Sequence, residues 1–302
     1  MNISRKMKIL AVALVAMFLL PGYLWLKAGQ PKVDLIIFSF DRPLQLYALL
    51  ESTATYVTGL GKTIVIYRSS NQNFHDAYDK VQAAFPWADF WEQGANPKAD
   101  FKPLTMKALN VTSSYIVFAV DDDVIKDYVD LTECVRVLET EGAYGLYLSL
   151  GKNLTQCYGY YAQQVQPNLE SVGKELFTWI LGHASYDWGY PHTVDLALYR
   201  KAGVIKDFNS FFFTNPNTLE GAWAGLSGRV AQRKGLCFSE SKIVNLPLNR
   251  VQNEYKNRVM NSLTPQELLE LFNQGFKLDI QPLFKIKNLD VHMEYVPTFV
   301  AM

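Results

Sequence analysis

The stretch "YIVFAVDDDVIKDY", residues 115–128, decides how the rest of the chain is read. Its first six residues are β-branched, aromatic or small and apolar, which predicts a buried strand. Three carboxylates then stand side by side. Adjacent like charges repel unless something positive lies against them. In an extended segment side chains alternate, so Asp121 and Asp123 are expected on one side and Asp122 on the other. Two carboxylates converging at a strand end make a hard, oxygen-rich site that suits Mn2+ or Mg2+, and through the ion a diphosphate. A structural alternative stands beside this reading, in which the triplet meets the positive end of the helix that follows.

Working outward, the stretch is the fourth strand of an alternating series. "VDLIIFSF" (33–40), "KTIVIYRSS" (62–70) and "ADFWEQ" (88–93) read as strands. Helical spacing fills 41–56, 72–85 and 100–114, with Pro43 in a first turn, where its missing N–H does no harm. Asp41 has the N-cap position of that helix as its structural reading. Such alternation predicts an α/β fold, a parallel sheet flanked by helices. Ligands on such sheets bind beyond the carboxyl ends of the strands. Three strand ends (39–42, 68–70 and 121–123) therefore point to one crevice. Arg42 and Arg68 can face a nucleotide base or phosphate there, and Lys102 and Lys107 can pair with phosphates.

After the triplet the pattern is less regular. Residues 127–140 read as a helix and 143–150 as a strand. Residues 176–182 and 194–205 look like further strands, the second passing into a helix. A helix is expected over 217–235 and a strand over 241–249, and "LNRVQNEYKNR" (248–258) is a polar stretch near the predicted cleft. Residues 264–275 carry Thr264 as N-cap, Pro265 at the first helical position, Glu267 three residues after the cap and Gly275 beyond the end. Residues 33–302 are best treated as one domain, in two halves, 33–125 and 126–302.

Lys plus Arg number 29 and Asp plus Glu number 29, so charge gives no argument for nucleic acid as a partner. Cys134, Cys157 and Cys237 are far apart and form no metal-binding pair. Residues 1–8 are a basic flank. Residues 9–26 are uncharged and, at 1.5 Å each, span about 27 Å as a helix, near the thickness of a bilayer core. They are expected to anchor the chain in a membrane as a single pass, with 27–32 as a linker. A cleaved signal peptide is the competing reading, and which side of the membrane holds the domain stays open.

The segments "IIFSFDRPLQLYALLES", "TIVIYRSS" and "YIVFAVDDDVI" resemble a glycosyltransferase of the GT-A fold, of the family-2-like bacterial kind. The resemblance implies transfer of a sugar from a nucleotide-sugar donor to a glycan or glycoconjugate acceptor, with Mn2+ or Mg2+ on the donor diphosphate. It places Asp121 and Asp123 at the metal motif, and Ser39, Asp41 and Arg68 where donor contacts fall. Asp122 points to the following helix or to the donor sugar. The fold often adds a late histidine as third ligand, and His292 is preferred to His192. A carboxylate must take the acceptor's proton in an inverting reaction. Glu220 in "NPNTLEGAWAG" is the first candidate, although with Asn217 it also has capping-box spacing. Asp187 in "SYDWGYPH" is the second, and its neighbours Trp188, Tyr190 and His192 would form a sugar-stacking wall. Two other readings remain: a haloacid-dehalogenase-like phosphatase using the same D-x-D, and a binding domain without chemistry.

Overall fold

The computed structural model describes residues 31–302 apart from 253, 256, 257, 261 and 262. The basic flank 1–8 and the expected anchor 9–26 lie outside the described residues. Among the described residues no helix is long and apolar enough to cross a membrane.

Val33–Phe40 (β1), Pro43–Tyr56 (α1), Leu60–Arg68 (β2), Gln72–Ala84 (α2), Ala88–Glu92 (β3), Pro97–Val111 (α3) and Tyr115–Val120 (β4) alternate as the sequence suggests. The chain continues through Asp123–Ile125 (β5), Leu131–Thr140 (α4), Gly145–Gly151 (β6), Glu170–Ser171 (β7) and Leu176–Ile180 (β8). Ala197–Arg200 (β9), Lys201–Phe208 (α5), Pro216–Ala224 (α6), Lys234–Phe238 (β10), Ile243–Asn245 (β11) and Pro265–Asn273 (α7) follow.

One nine-stranded sheet has the order β7-β8-β10-β6-β9-β4-β1-β2-β3. Strands β4, β1, β2 and β3 pair in parallel, as do β6 and β10. Strand β9 runs antiparallel between β4 and β6, and β8 runs antiparallel between β7 and β10. The sheet is thus mostly parallel in direction, with β8 and β9 reversed.

Both faces of the sheet are covered, which is why β1 carries the unbroken apolar run Leu35–Phe38 and not an alternating one. Val33, Leu35 and Ile37 pack with α1, α2, α4 and α7 on one face. Ile36 and Phe38 pack with α3, α5 and α6 on the other. Truncating Ile36 or Ile37 to Ala would cost about 2–5 kcal/mol, because neither site is at an edge that could collapse.

Two local expectations fail for identifiable reasons. The segment 217–235 is not one helix. Helix α6 starts at Pro216 behind the cap Asn215 and stops at Ala224. The residues beyond it include Gly225 and Gly228, and the end of the segment, Lys234–Gly235, opens β10, whose apolar residues Leu236–Phe238 insert between β6 and β8. Gly235 is required there, since a Cβ would lie 2.7 Å from the Trp179 ring. Asp41 does not cap α1. The N-cap is Arg42, without a side-chain cap bond. Asp41 instead has φ of 51° and accepts the Ser70 N–H at 2.8 Å, tying the end of β1 to the end of β2.

Candidate active site

Strand β4 ends at Val120, and Asp121–Asp122 turn the chain before β5 begins. The turn removes the alternation that would have put Asp121 and Asp123 on one side. Asp121 and Asp122 line a cavity of about 1330 Å³ at the carboxyl ends of β1, β2 and β4. Asp123 lies outside its lining and is fully buried. Its Oδ1 accepts from Asn245 Nδ2 at 3.1 Å and its Oδ2 from the Val120 N–H at 3.2 Å. Pairing of β5 with β11, Asp123 opposite Asn245, fixes this arrangement.

The positive partner of the triplet is a side chain. Arg42 Nη1 donates to Asp121 Oδ1 at 3.0 Å and to Asp122 Oδ2 at 2.9 Å. Its Nε donates to Asn249 Oδ1 at 2.9 Å, and its Nη2 to the Asn249 carbonyl. Burial works against the charge on Arg42, but Asp122 and Asp121 outweigh it and make the guanidinium more basic than usual. The second oxygen of Asp121 accepts from Ser39 Oγ at 2.9 Å and from the Phe40 N–H at 3.1 Å. Tyr78 completes the network, its hydroxyl 2.7 Å from Ser39 Oγ. Asp122 Oδ1 accepts from Asn245 Nδ2 at 2.9 Å. Burial raises Asp121 to about 6, with Arg42 opposing and Asp122 adding.

Among the described residues Asp121, Asp123 and His292 do not converge as a group that could hold Mn2+ or Mg2+. Both oxygens of Asp121 and both of Asp123 are engaged by protein donors. His292 does line the cavity, held by a backbone bridge to Asn245 and stacked on Tyr158 at 5.8 Å. It forms no triad with the two aspartates, and among the described residues no three His, Cys, Asp or Glu side chains form a group able to hold a metal ion.

A second set of acids lines the same cavity. Glu220 sits in the second turn of α6, so the cap is not its task. The capping box belongs to Asn215 and Thr218. Glu220 Oε1 accepts the Val194 N–H at 3.0 Å. Burial, then the charge of Asp195, pushes Glu220 up to about 8. Asp195 stands just before β9. Burial, then Asp122 and Asp187, pushes it up to about 7. Two carboxyls that change charge near neutrality are what proton transfer needs. Asp187 also lines the cavity, but accepts from Gln164 Nε2 at 2.9 Å and from Cys157 Sγ at 3.5 Å.

The remaining predicted residues divide. Ser39 and Arg68 line the cavity, with the Arg68 guanidinium 4.5 Å from the centre of the Phe40 ring. Asp41 and Lys102 do not line it. Lys102 Nζ donates to the Phe211 carbonyl at 2.5 Å, and Lys107 lies over the Trp91 ring. Lys98 takes the cavity-lining place instead. Of the expected stacking wall only Tyr190 lines the cavity. Trp188 and His192 are core residues, and His192 stacks on Trp223 at 4.8 Å. Asn249 falls in the polar stretch 248–258 that the sequence places near the cleft, whereas Asp195 and Asn245 escaped the sequence reading. Their one signal is a polar residue interrupting or opening an apolar run, as in "TVDLAL" and "IVNLPLN".

Backbone strain gathers at the same place. Among the described residues five that are not glycine have positive φ. Tyr161 and Tyr186 line the cavity, and Asp41 and Leu196 adjoin the lining residues Arg42 and Asp195. Such conformations persist only where the surroundings impose them, and they concentrate at functional sites.

No protein-family model matches the chain. In sequence it is 25% identical over 304 residues to the bifunctional glycosyltransferase pgtA of Dictyostelium discoideum. That match covers 89% of this chain but only 39% of the relative, so the chain spans well under half the relative's length. Among solved structures, TarS of S. aureus in complex with UDP superposes with a TM-score of 0.47 at 15% identity, covering 70% of this chain and 59% of that one. GalNAc-T7 with UDP, GalNAc and Mn2+ gives a TM-score of 0.47 at 8% identity, covering 72% and 44%.

Proposed function

We propose that the chain is a glycosyltransferase that moves a sugar from a nucleotide-sugar donor to a hydroxyl of a glycan or glycoconjugate. The observation that carries this reading is the composition of the cavity wall. An arginine-fixed acidic turn, Asp121–Asp122, lies at the carboxyl ends of three parallel strands, and the raised acids Asp195 and Glu220 line the same space. The similarity to pgtA supports it over 89% of the chain.

In this reading the donor nucleotide lies over the ends of β1 and β2, beside Ser39 and Arg68. Lys98 and Arg68 supply charge to the diphosphate. The acceptor oxygen attacks the anomeric carbon. Its proton passes to the carboxylate of Glu220, with Asp195 beside it as the more readily ionised partner. The bond from the anomeric carbon to the diphosphate oxygen breaks, and its electron pair leaves with the diphosphate. A divalent ion on the donor would supply Lewis acidity to that departure, but the resident residues do not form its site, so no step is assigned to it. A phosphatase reading is less well supported, because Asp121, the carboxylate that would have to attack, is held by Arg42, Ser39 and the Phe40 N–H. Attachment to a membrane through residues 9–26 belongs to the same proposal, and carbonate extraction of the full chain against one beginning at residue 27 reads it.

The test is a thermal-shift series with nucleoside diphosphates and nucleotide sugars, with and without Mn2+, followed by turnover of the donor that binds. Ligand binding raises the midpoint by mass action. Turnover that survives Glu220→Gln undiminished would remove Glu220 from the chemistry. A folded protein that binds no nucleotide would sink the whole reading.

A further inference from the structure

The mouth of the cavity carries large rings that a folded protein normally hides. Tyr160 and Tyr161 are 73% and 75% exposed, Tyr186 is 42% and Tyr190 is 37%, and all four line the cavity. Tyr160 and Tyr186 stand with ring centroids 5.4 Å apart. Tyr161 and Tyr186 are held at φ of 52° and 53°, in the left-handed region that bulky residues rarely adopt. Behind them the Arg258 guanidinium lies 4.0 Å from the Tyr158 ring centre and 4.4 Å from that of Tyr161. Glu294 neutralises it at 2.6 Å. The fold therefore holds a set of exposed tyrosine faces in place and cancels the charge that would draw an anion to them.

Resting on the transferase reading, we propose that this tyrosine shelf is the subsite for the second sugar residue of a neutral oligosaccharide acceptor. The C–H face of a pyranose packs on an aromatic face, while its hydroxyls bond to phenolic oxygens at the rim. Acids line the cavity below the shelf: Asp187, Asp195 and Glu220. The residue that receives the new sugar lies against Glu220, and the next residue of the acceptor lies on the shelf.

The probe is a pool of neutral oligosaccharides of two to four residues, with sialylated counterparts, added to the full chain with UDP. Saturation-transfer NMR reads binding. Neutral members should give signals, and these should fall at least tenfold in Tyr160→Ala/Tyr161→Ala and in Tyr186→Ala, while the UDP-induced thermal shift is retained. Both variants remove exposed side chains, and the retained UDP shift verifies their fold. If UDP binds but no neutral oligosaccharide does, or the variants bind as well as the wild type, or the sialylated set binds better, the shelf proposal is overturned and the transferase reading stands. If neutral oligosaccharides bind through the shelf but no nucleotide binds in any combination, the shelf is supported and the transferase reading falls.

Discussion

Arg42 Nε and Asn249 Oδ1 are 2.9 Å apart across 207 residues of sequence. Through this bond the polar stretch 248–258 is drawn to the end of the first strand, and the guanidinium that it steadies reaches Asp121 and Asp122. The acidic turn is therefore set by three distant parts of the chain at once. Removing the arginine would strand two carboxylates that are almost entirely out of water.

Arg42→Met should destabilise the fold by about 3–5 kcal/mol, since breaking a buried ion pair from one side leaves an uncompensated charge. Arg42→Lys should recover only part of this, because an ammonium lacks the planar fork that meets two acceptors together. Equilibrium urea denaturation reads both, and a loss below about 1 kcal/mol for Arg42→Met would show that the ion pair does not hold the turn.

The three aspartates should separate by phenotype. Asp123→Ala strands the Val120 N–H and one donor of Asn245, at about 1–3 kcal/mol for each buried unsatisfied group. It should appear as a loss of stability. Asp122→Asn, at the cavity wall, should leave the fold intact and weaken nucleotide binding at least tenfold. A stable Asp123→Ala protein without binding would reverse this assignment and restore Asp123 to the ligand role that strand alternation suggested.

Removal of divalent ions should leave nucleotide binding in place. The oxygens of Asp121 and Asp123 are already engaged, and the cation against the turn is covalently part of the chain. Calorimetric titration with UDP in EDTA and in Mn2+ should give affinities within about threefold, or roughly 0.6 kcal/mol. A gain of tenfold or more with Mn2+ would mean that Arg42 yields its place when donor and ion arrive together.

Stability should fall as pH rises from the ordinary carboxylate range through neutrality. Glu220 and Asp195 ionise in the folded protein at about 8 and about 7, above the ordinary carboxylate values of 4.5 and 3.8. The folded state then holds protons that the unfolded chain has lost. The stability these groups contribute is whole below the unfolded values and is lost as pH rises through 7 and 8. Differential scanning calorimetry should show the midpoint declining across that window, with a shallower decline for Glu220→Gln. A wild-type profile that is flat there would place both acids in ordinary solvent.

The first half of the fold was readable because its signals are local. Apolar runs of strand length, helical spacing between them, and Pro43 at a first turn each act over a few residues. Beyond the triplet the decisive events are pairings over long separations. Nothing near residues 236–238 announces that they will enter between β6 and β8, and the helical spacing before them invites the wrong assignment. The candidate site divides in the same way. Ser39, Arg42, Arg68 and Asp121–Asp122 line the cavity from predicted strand ends, whereas Asp195 and Asn245 are brought in by closure of the sheet. The mistaken side of the triplet traces to one residue of strand length. Ending β4 at Val120 makes Asp121–Asp122 a turn, and a turn does not obey the two-residue period.

The reversed strand β9 has a consequence for how the molecule is assembled. It is paired on both sides, with β4 and with β6, and so joins strands that are far apart along the chain. A fragment ending near residue 125 would present the whole flank of β4 as an open edge, apolar and ready to recruit another chain. This portion should therefore aggregate when expressed alone. During synthesis its edge stays unprotected until residue 200 has emerged, the interval in which a chaperone is most needed.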